Sequence, residues 1–436
     1  PLMHPKIVEI VTGLVAMKRY IYLCTNAILL KDYLDLLPVS PYLTLSIHLD
    51  GMEEEHDRIV DQKGTFKLAI DAVQEAKKRG FRVTSATTFF EDTTVEMAEE
   101  FLDYLAPLGI DGVTMASAFR YPDAPDQDHF FGRRRTFEFF DKFTNQNTPH
   151  IIFSVSKSLT SLLAGILINK KILNLTDTVS HIIPETKGTA YEDATIRNVL
   201  DMNVASGFIE DYAGEAEIFK KYRSSTGWDL PDEHSNIENT GLHEFLSTMP
   251  KSREPHGKKY HYCSPHSDLL GWIIERASGQ NYSKILSDLL FKPSGIHFNA
   301  NVTLDKWGAS RAAGGISIAP YDLLLISEMV RCFGSNSNGQ IIPESWIKDF
   351  QTHKDNSSYL NQDHLERFPK GNYRSKWYQT GFNDEEFCAI GIHGQNIWIN
   401  PKKELTIVRM SSASDPINIE TEELMFSVFK EIANII

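Results

Sequence analysis

The chain has 436 residues, of which 42% are hydrophobic and 23% charged, and these ordinary values exclude wholesale disorder. Its formal net charge of -14 excludes the basic surface on which nucleic-acid binding depends. The longest nearly unbroken apolar run, at residues 159–168 and interrupted by Thr160 and Ser161, is about half the length of a membrane span. We therefore expect a soluble protein with at least two hydrophobic cores, no nucleic-acid partner and no membrane span.

Hydrophobic periodicity in the first 120 residues alternates between strand and helix. The expected strands are residues 20–24, 43–49, 81–87 and 112–115, and the expected helices are residues 8–20, 65–78 and 94–105. Gly80 is expected to end the second helix in a left-handed conformation. Strand–helix–strand units predict a parallel β/α architecture. Four strands are too few for a closed eight-stranded barrel, so a partial barrel is predicted.

The sequence changes character after residue 120. This segment holds YPDAPDQDHFFGRRR, then the helix-like FEFFDKF at residues 137–143, then the polar TNQNTP. We place a boundary here and predict two domains, residues 1–145 and 146–436. The expected helices beyond it are residues 158–172, 267–277, 322–333 and 420–435, and the expected strands are residues 387–392, 396–400 and 405–411. Helices followed by short antiparallel strands predict an α+β domain.

Cysteine spacing and the N-terminus bear on the compartment. The chain has four cysteines, which are far apart: Cys24, Cys263, Cys332 and Cys388. No CxxC metal or redox motif is therefore present. The first ten residues, PLMHPKIVEI, lack the basic stretch, apolar stretch and cleavage site of a secretory signal. Free thiols and a cytoplasmic location are the expectation.

The motif SVSK at residues 154–157 has the spacing S-x-x-K, which places serine and lysine on one face of a helix. A lysine kept neutral by burial can take the serine proton and create a nucleophile. Ser345 and Ser427 also precede a lysine at this spacing. Only Ser154 follows an extended apolar segment and opens a long apolar helix, whose N-terminus favours a developing anion. A helix-capping serine beside a solvated lysine is the alternative.

Two later segments carry residue types that can complete such a site. Tyr262, in YHYCS before an expected helix, can relay a proton if a cation lowers its pKa. GIHGQ at residues 391–395 precedes the apolar strand NIWIN, and a small glycine there lets a substrate carbonyl approach the backbone. The N–H groups of Ser154 and of Gln395 or Asn396 are expected to hold the oxyanion.

Four motifs together carry a resemblance to a known family. SVSK, YCS with DLLGWIIERASGQ, RAAGG and GIHGQ occur in the same order as in serine β-lactamase-like hydrolases. Residues 147–436 most resemble the branch containing class C-like esterases and 6-aminohexanoate-oligomer hydrolases. The resemblance implies a β-lactamase/penicillin-binding-protein-like α+β fold with an antiparallel sheet. It implies Ser154 as nucleophile, Lys157 as base and Tyr262 as proton relay, acting on a small-molecule amide or ester without metal or cofactor.

The chain departs from the family pattern at two positions. The family's KTG strand motif corresponds to His393, Gly394 and Gln395, followed by Asn396, so a histidine replaces the lysine that attracts a carboxylate. Ser264 stands where the YxN element has asparagine. Both departures favour esterase-like or amidase-like substrates over β-lactams.

The resemblance also suggests a substrate cleft and a shortened sheet. Tyr212, in SGFIEDY, and Trp377, in YRSKW, resemble aromatic residues that line the family's cleft, although half-buried surface aromatics are the alternative. Family members carry a helix and early strands before the SxxK helix. Either the β/α segment supplies those strands here, or the sheet has an unprotected edge.

The N-terminal part resembles a second family. PLMHPKIVEI, YLCTNA, SIHLDG with HDR, GFRVTSATTF and YPDAPDQDHFFGRRR are similar to radical S-adenosylmethionine proteins of the adenosyl-hopene transferase type, from hopanoid biosynthesis. The similarity covers residues 1–143 but not that family's CxxxCxxC loop. Cys24 alone cannot ligate a [4Fe–4S] cluster. His48, Asp50 and residues 56–58 are therefore expected to be inherited packing and surface residues.

Three hypotheses follow from the sequence. The first is a serine hydrolase that forms an acyl-enzyme on Ser154. The second is a radical S-adenosylmethionine enzyme fragment, for which iron–sulfur reconstitution is the test. The third is a non-catalytic relic of the penicillin-recognising fold, which would bind ligands without turning over p-nitrophenyl esters.

Overall fold

The structure is a computed structural model of the chain and divides into two compact units, Pro1–Thr144 and Asn145–Ile436. It describes residues 1–118, 139, 145–212, 216–228, 240–362, 367–382, 386–413 and 415–435. The helix-like segment expected at residues 137–143 lies outside the described residues, apart from the buried Phe139.

The first unit is built on a four-stranded parallel sheet. In order across the sheet, its strands are β1 (Ile21–Thr25), β2 (Leu43–His48), β3 (Arg82–Phe89) and β4 (Gly112–Ser117). Its helices are α1 (Ile7–Ala16), α2 (Leu30–Tyr33), α3 (Glu53–Ile59), α4 (Thr65–Lys78) and α5 (Val95–Leu105). Gly80 follows α4 with φ +84°. The predicted parallel β/α architecture is confirmed.

The two short helices of this unit, α2 and α3, were not predicted from the sequence. Helix α2 has 4 residues and α3 has 7, which is too short for a helical period to show in the sequence. The longer α4 buries one face through Phe66, Ala69 and Val73. Strand β2 lies between β1 and β3 and is buried from Leu43 to Ile47, as a strand with neighbours on both edges should be.

The second unit is mainly helical in its first two thirds. Its helices are α6 (Val155–Asn169), α7 (Val179–Ile182), α8 (Ile196–Leu200), α9 (Glu217–Ser225), α10 (Leu242–Leu246), α11 (Ser264–Ser278), α12 (Tyr282–Leu286), α13 (Lys292–Ser294), α14 (Pro320–Arg331), α15 (Glu344–Thr352), α16 (Ser357–Leu360) and α17 (Ile419–Ile435). Helices α11 and α14 begin two or three residues before their predicted starts because proline occupies the first turn, where its missing N–H costs nothing. Within the described part of the chain, no helix is both long and apolar enough to cross a bilayer.

A five-stranded antiparallel sheet follows, as the α+β prediction requires. Its strands in order are β10 (Asn372–Arg374), β11 (Trp377–Gln379), β12 (Phe387–Gly391), β13 (Gln395–Asn400) and β14 (Leu405–Arg409). The remaining strands are β5 (His150–Ile151), β6 (Asn301–Val302), β7 (Ile316–Ile318), β8 (Ser335–Asn336) and β9 (Gly339–Gln340). β5, β7 and β6 form a small second sheet, and β8 pairs with β9.

Alternation along β13 shows how the main sheet is covered. Ile397 and Ile399 belong to the large core that includes α6, whereas Trp398 belongs to a second cluster with Phe426 and Phe429 of α17. Successive side chains of a strand point to opposite faces, so the sheet lies between the helical core and the C-terminal helix.

Strand β14 lies at one edge of the five-stranded sheet. It pairs with β13 and, among the described residues, with no other strand. Its outer backbone groups are therefore unpaired with any described strand, as is typical of an edge strand.

Candidate active site

Ser154 lies at the junction between β5 and α6. The N–H of Ile152 donates to the carbonyl of Ile316 at 2.9 Å, which fixes the approach to the helix. Phe153 then adopts φ +43°, a left-handed conformation that is strained for a bulky residue. In the described part of the chain, the backbone N–H of Ser154 has no protein acceptor. This tight turn therefore presents the serine at a helix N-terminus with a free amide.

Lys157 is buried one turn into α6 and contacts the serine directly. Its Nζ lies 2.7 Å from Ser154 Oγ and 2.8 Å from the carbonyl oxygen of Ala313. Burial lowers the pKa of Lys157 to about 8, although the negative charges of Glu210 and Asp268 oppose that fall. A neutral amine is thus accessible near physiological pH, as a general base requires.

Tyr262 is the third residue that the structure brings to this point. Lys157 Nζ lies 5.2 Å from the centre of the Tyr262 ring, and the Tyr262 hydroxyl is close enough to the Ser154 side chain for the two groups to interact. Removal from solvent, followed by the charge of Glu210, raises the pKa of Tyr262, although the Ser154 side chain and the positive charge of Arg367 oppose that rise. The sequence predicts a lowered pKa for the relay. The structure instead gives a phenol that stays protonated at neutral pH, because desolvation outweighs these two opposing effects.

Glu210, which the sequence analysis did not select, accepts hydrogen bonds from Ser264 and Tyr212. Its carboxylate accepts the N–H of Ser264 at 2.8 Å and the Ser264 hydroxyl at 2.5 Å, at the start of α11. It also accepts the hydroxyl of Tyr212 at 2.8 Å. The available signal was its position in SGFIEDY, two residues before the tyrosine that was selected. Glu210 thus ties Tyr212 to the helix that follows Tyr262.

A cavity of about 530 Å³ opens beside Ser154, a volume typical of small-molecule sites. Its walls include several tyrosines and three charged residues: Tyr212, Tyr260, Tyr262, Tyr359, Tyr378, Glu210, Arg367 and Glu422. Arg367 pairs with Glu422 through two hydrogen bonds of 2.6 and 2.5 Å. Tyr212 therefore lines this cavity, and its contact with substrate stays a prediction.

Trp377 does not lie in the cavity. It is fully buried in the core and stacks on Phe350 with ring centres 5.2 Å apart. The resemblance of YRSKW to a cleft segment is thus wrong for this side chain, because strand β11 turns it towards the helical core.

The segment predicted to face the serine is displaced by a few residues. The cavity wall contains Ile390, Gly391 and Ile392 but none of residues 393–396. A methyl group added at Gly391 would lie 2.6 Å from the carbonyl oxygen of Ile152 and 3.2 Å from the nitrogen of Ser154. Gly391, at the end of β12, therefore packs directly against the backbone that carries the nucleophile.

The four predicted residues have other contacts. The His393 ring packs on Phe153 with centres 5.2 Å apart, and its Nδ1 lies 2.7 Å from the carbonyl oxygen of Ala413. The carbonyl of Gly394 accepts a hydrogen bond from Arg409 at 2.7 Å. Gln395 and Asn396 are buried within the ladders of β13. Their backbone groups thus take part in the sheet instead of facing Ser154.

Comparison with known proteins identifies the class to which this site belongs. Residues 138–428 match the family model named Beta-lactamase. That match covers more than half of the chain, so the chain belongs to the β-lactamase family of serine hydrolases. Residues 1–105 match the Radical SAM superfamily, which confirms the second resemblance at the level of that superfamily, and the adenosyl-hopene transferase type stays a prediction.

Two individual proteins are similar to this chain. The chain is 31% identical over 268 residues to the 6-aminohexanoate-dimer hydrolase of Paenarthrobacter ureafaciens, which covers 61% of this chain and 67% of the relative. It also matches a solved structure from Bacillus anthracis provisionally assigned as a 6-aminohexanoate-dimer hydrolase, with a TM-score of 0.60 and 20% identity over 73% of this chain and 88% of the other. The second match establishes a shared fold.

The residues of the first unit do not fit an iron–sulfur cluster. Cys24 is the sole cysteine before residue 145, whereas such a cluster needs several thiolates. Among the described residues, no group of three or more potential ligands is arranged to hold a metal ion. His48 Nε2 instead lies 2.6 Å from Asp50, which also accepts the N–H of Thr88 at 2.8 Å. His48 and Asp50 thus pair with each other near the end of β2, and Asp50 also accepts a backbone hydrogen bond from β3.

Proposed function

We propose that this chain is a serine hydrolase that cleaves a small-molecule amide or ester through an acyl-enzyme on Ser154. The observation that carries the proposal is the 2.7 Å contact between Lys157 Nζ and Ser154 Oγ, made by a buried lysine whose pKa is lowered to about 8. A neutral amine in that position can accept the hydroxyl proton as the serine attacks.

The acylation step uses three side chains in sequence. Lys157 takes the proton of Ser154 while Ser154 Oγ bonds to the substrate carbonyl carbon. Tyr262, which is protonated, donates its proton to the leaving nitrogen or oxygen as the carbonyl–leaving-group bond breaks. The proton on Lys157 then returns to Tyr262, so both groups are reset. Deacylation reverses these transfers with water in place of the leaving group.

The oxyanion of the tetrahedral intermediate needs two donors. The free N–H of Ser154 is one. For the second, we assign the backbone N–H of Ile392, in place of Gln395 or Asn396, because Gly391 and Ile392 line the cavity beside the serine. Gly391 supports the assignment, since any larger residue there would meet the backbone of residues 152–154.

The substrate class follows from the relatives and from the departures in the motif. The relative that is 31% identical is named for the hydrolysis of a 6-aminohexanoate dimer, a linear amide. His393 replaces the lysine that binds the β-lactam carboxylate in the resembled family. A linear amide, or an ester of similar size, is therefore the proposed substrate of the 530 Å³ cavity.

A fluorophosphonate probe with mass spectrometry tests the nucleophile. Wild type should acquire one label on Ser154, and Ser154→Ala should acquire none. Ser427→Ala is the matched control, because Ser427 has the same spacing to Lys430 but is exposed on α17. Its labelling should equal that of wild type. A wild-type label elsewhere, or one that persists in Ser154→Ala, would overturn the proposal.

A further inference from the structure

A buried carboxylate, Asp268, lies behind the proposed base. We infer that Asp268 is a positioning residue that holds Lys157 in its reactive place through the backbone of Ala313. The inference rests on the proposed function, since it concerns the same base, but it assigns a role to residues that do not line the cavity.

Asp268 contacts Ala313, Tyr222 and Arg311. Its side chain is fully buried in α11. Oδ1 accepts the N–H of Ala313 at 2.8 Å, and Oδ2 accepts the hydroxyl of Tyr222 at 2.6 Å. Arg311 Nε lies 3.4 Å from Oδ2. Both carboxylate oxygens are therefore engaged, and one of them is bound to the main chain of the RAAGG segment.

The RAAGG segment also contacts Lys157. The carbonyl of Ala313 accepts Lys157 Nζ at 2.8 Å, so Ala313 is held by Asp268 through its N–H and holds Lys157 through its C=O. A methyl group on Gly315 would lie 2.8 Å from the carbonyl oxygen of Arg311. This turn is thus tightly packed and has little room to move independently of Asp268.

The negative charge of Asp268 also acts on Lys157. Desolvation of a buried carboxylate is costly, and an apolar residue often stabilises a core equally well. Packing alone therefore does not explain why a charged residue lies at this position. The ionisable groups around Lys157 are Glu210, Asp268, Arg311, Cys263, Lys376 and Tyr262. Asp268 raises the pKa of Lys157 and Arg311 lowers it. The pair therefore acts on the basicity of the amine with opposite signs.

The experiment measures the rate of Ser154 labelling by the fluorophosphonate against pH. Asp268→Leu keeps a similar branched shape but cannot accept the Ala313 N–H, whereas Asp268→Asn keeps an acceptor oxygen and loses only the charge. The maximal rate of Asp268→Leu should fall at least about 10-fold, because Ala313 no longer holds Lys157 in place, and that of Asp268→Asn should stay within about threefold of wild type. The acid-side midpoint of Asp268→Asn should fall by about one pH unit, because the negative charge that favours the protonated amine is lost. Arg311→Gln should move the midpoint upward instead.

Asp322→Asn is the matched control. Asp322 is also fully buried and accepts two backbone N–H groups, those of His297 and Phe298, at 2.8 and 2.9 Å. It makes no contact with Lys157, so its midpoint should equal that of wild type. A shift in this variant as well would show that any buried aspartate alters the profile, and would overturn the inference.

The outcomes separate the two proposals. If wild type is not labelled at Ser154, the proposed function fails. If wild type is labelled but Asp268→Leu keeps the wild-type maximal rate, the positioning role fails. If Asp268→Leu does not fold, Asp268→Ala takes its place, because it also lacks the acceptor, and a wild-type maximal rate in that variant contradicts the inference.

Discussion

Lys157 shows at the scale of a single residue how the proposed site trades stability for reactivity. The fall of its pKa from 10.5 to about 8 corresponds to a cost of about 3 kcal/mol for holding the cation in the folded state. Below pH 8 the cost is fully present. It disappears as pH rises towards 10.5, because the amine then becomes neutral in the unfolded chain as well.

Substitution of Lys157 by methionine should separate these two effects. Activity should fall at least about 100-fold, because the base is lost. The free energy of unfolding of wild type relative to Lys157→Met should rise by up to about 3 kcal/mol between pH 8 and pH 10.5. Urea unfolding at several pH values measures the difference. A difference that does not change with pH would contradict a depressed lysine pKa.

Tyr262 makes a prediction about leaving groups. Tyr262→Phe should lower the acylation rate with an amide about 100-fold or more, because an amine cannot leave without a proton. The acylation burst of p-nitrophenolate from a p-nitrophenyl ester should slow much less, since p-nitrophenolate leaves unprotonated. Tyr378→Phe is the control: Tyr378 lines the same cavity, but its hydroxyl contacts Tyr260 at 3.2 Å. Equal losses of acylation rate with both substrates in Tyr262→Phe would argue against a proton relay.

At the scale of an element, the end of β12 is the most constrained part of the site. Gly391→Ala should slow Ser154 labelling at least about 10-fold, because the added methyl pushes β12 away from residues 152–154. Circular dichroism should show a folded protein. Gly13→Ala in α1 is a contrasting variant, since its methyl would meet nothing within 4 Å, and it should leave labelling unchanged. Wild-type labelling in Gly391→Ala would remove the reason to place an oxyanion donor there.

Element length explains which parts of the fold were predictable. Helices α4 and α6 have 14 and 15 residues, enough for their apolar pattern to stand out, and both were predicted within three residues at each end. β10 and β11 have 3 residues each and were not predicted. Such short strands depend on partners far away in the sequence, which local periodicity does not report.

At the scale of the whole molecule, the hydrophobic cores follow the two units. Among the residues that the structure describes, the large core and the cluster around α17 contain only residues after 145, and the core of the parallel sheet contains only residues before 114. All described residues that line the cavity beside Ser154 also lie after 145. The proposed chemistry thus draws on one unit.

A fragment of residues 145–436 should therefore fold and label at Ser154 at a rate within about threefold of the full chain, because its core is its own. Labelling kinetics and a thermal melt of the fragment, compared with the full chain, measure this. A fragment that folds but is no longer labelled would show that the first unit contributes to the site.

The sequence by itself determined the two family resemblances, the order of the longer elements, and the pairing of Ser154 with Lys157. Helix geometry makes that pairing a local property, since residues three apart share a face. The tertiary structure decided the rest. It placed Gly391 instead of Gln395 beside the serine, turned Trp377 into the core, and joined Asp268 to Lys157 through Ala313. Those contacts link residues far apart in the chain. They arise from the packing of helices against the sheet, which local sequence patterns do not report.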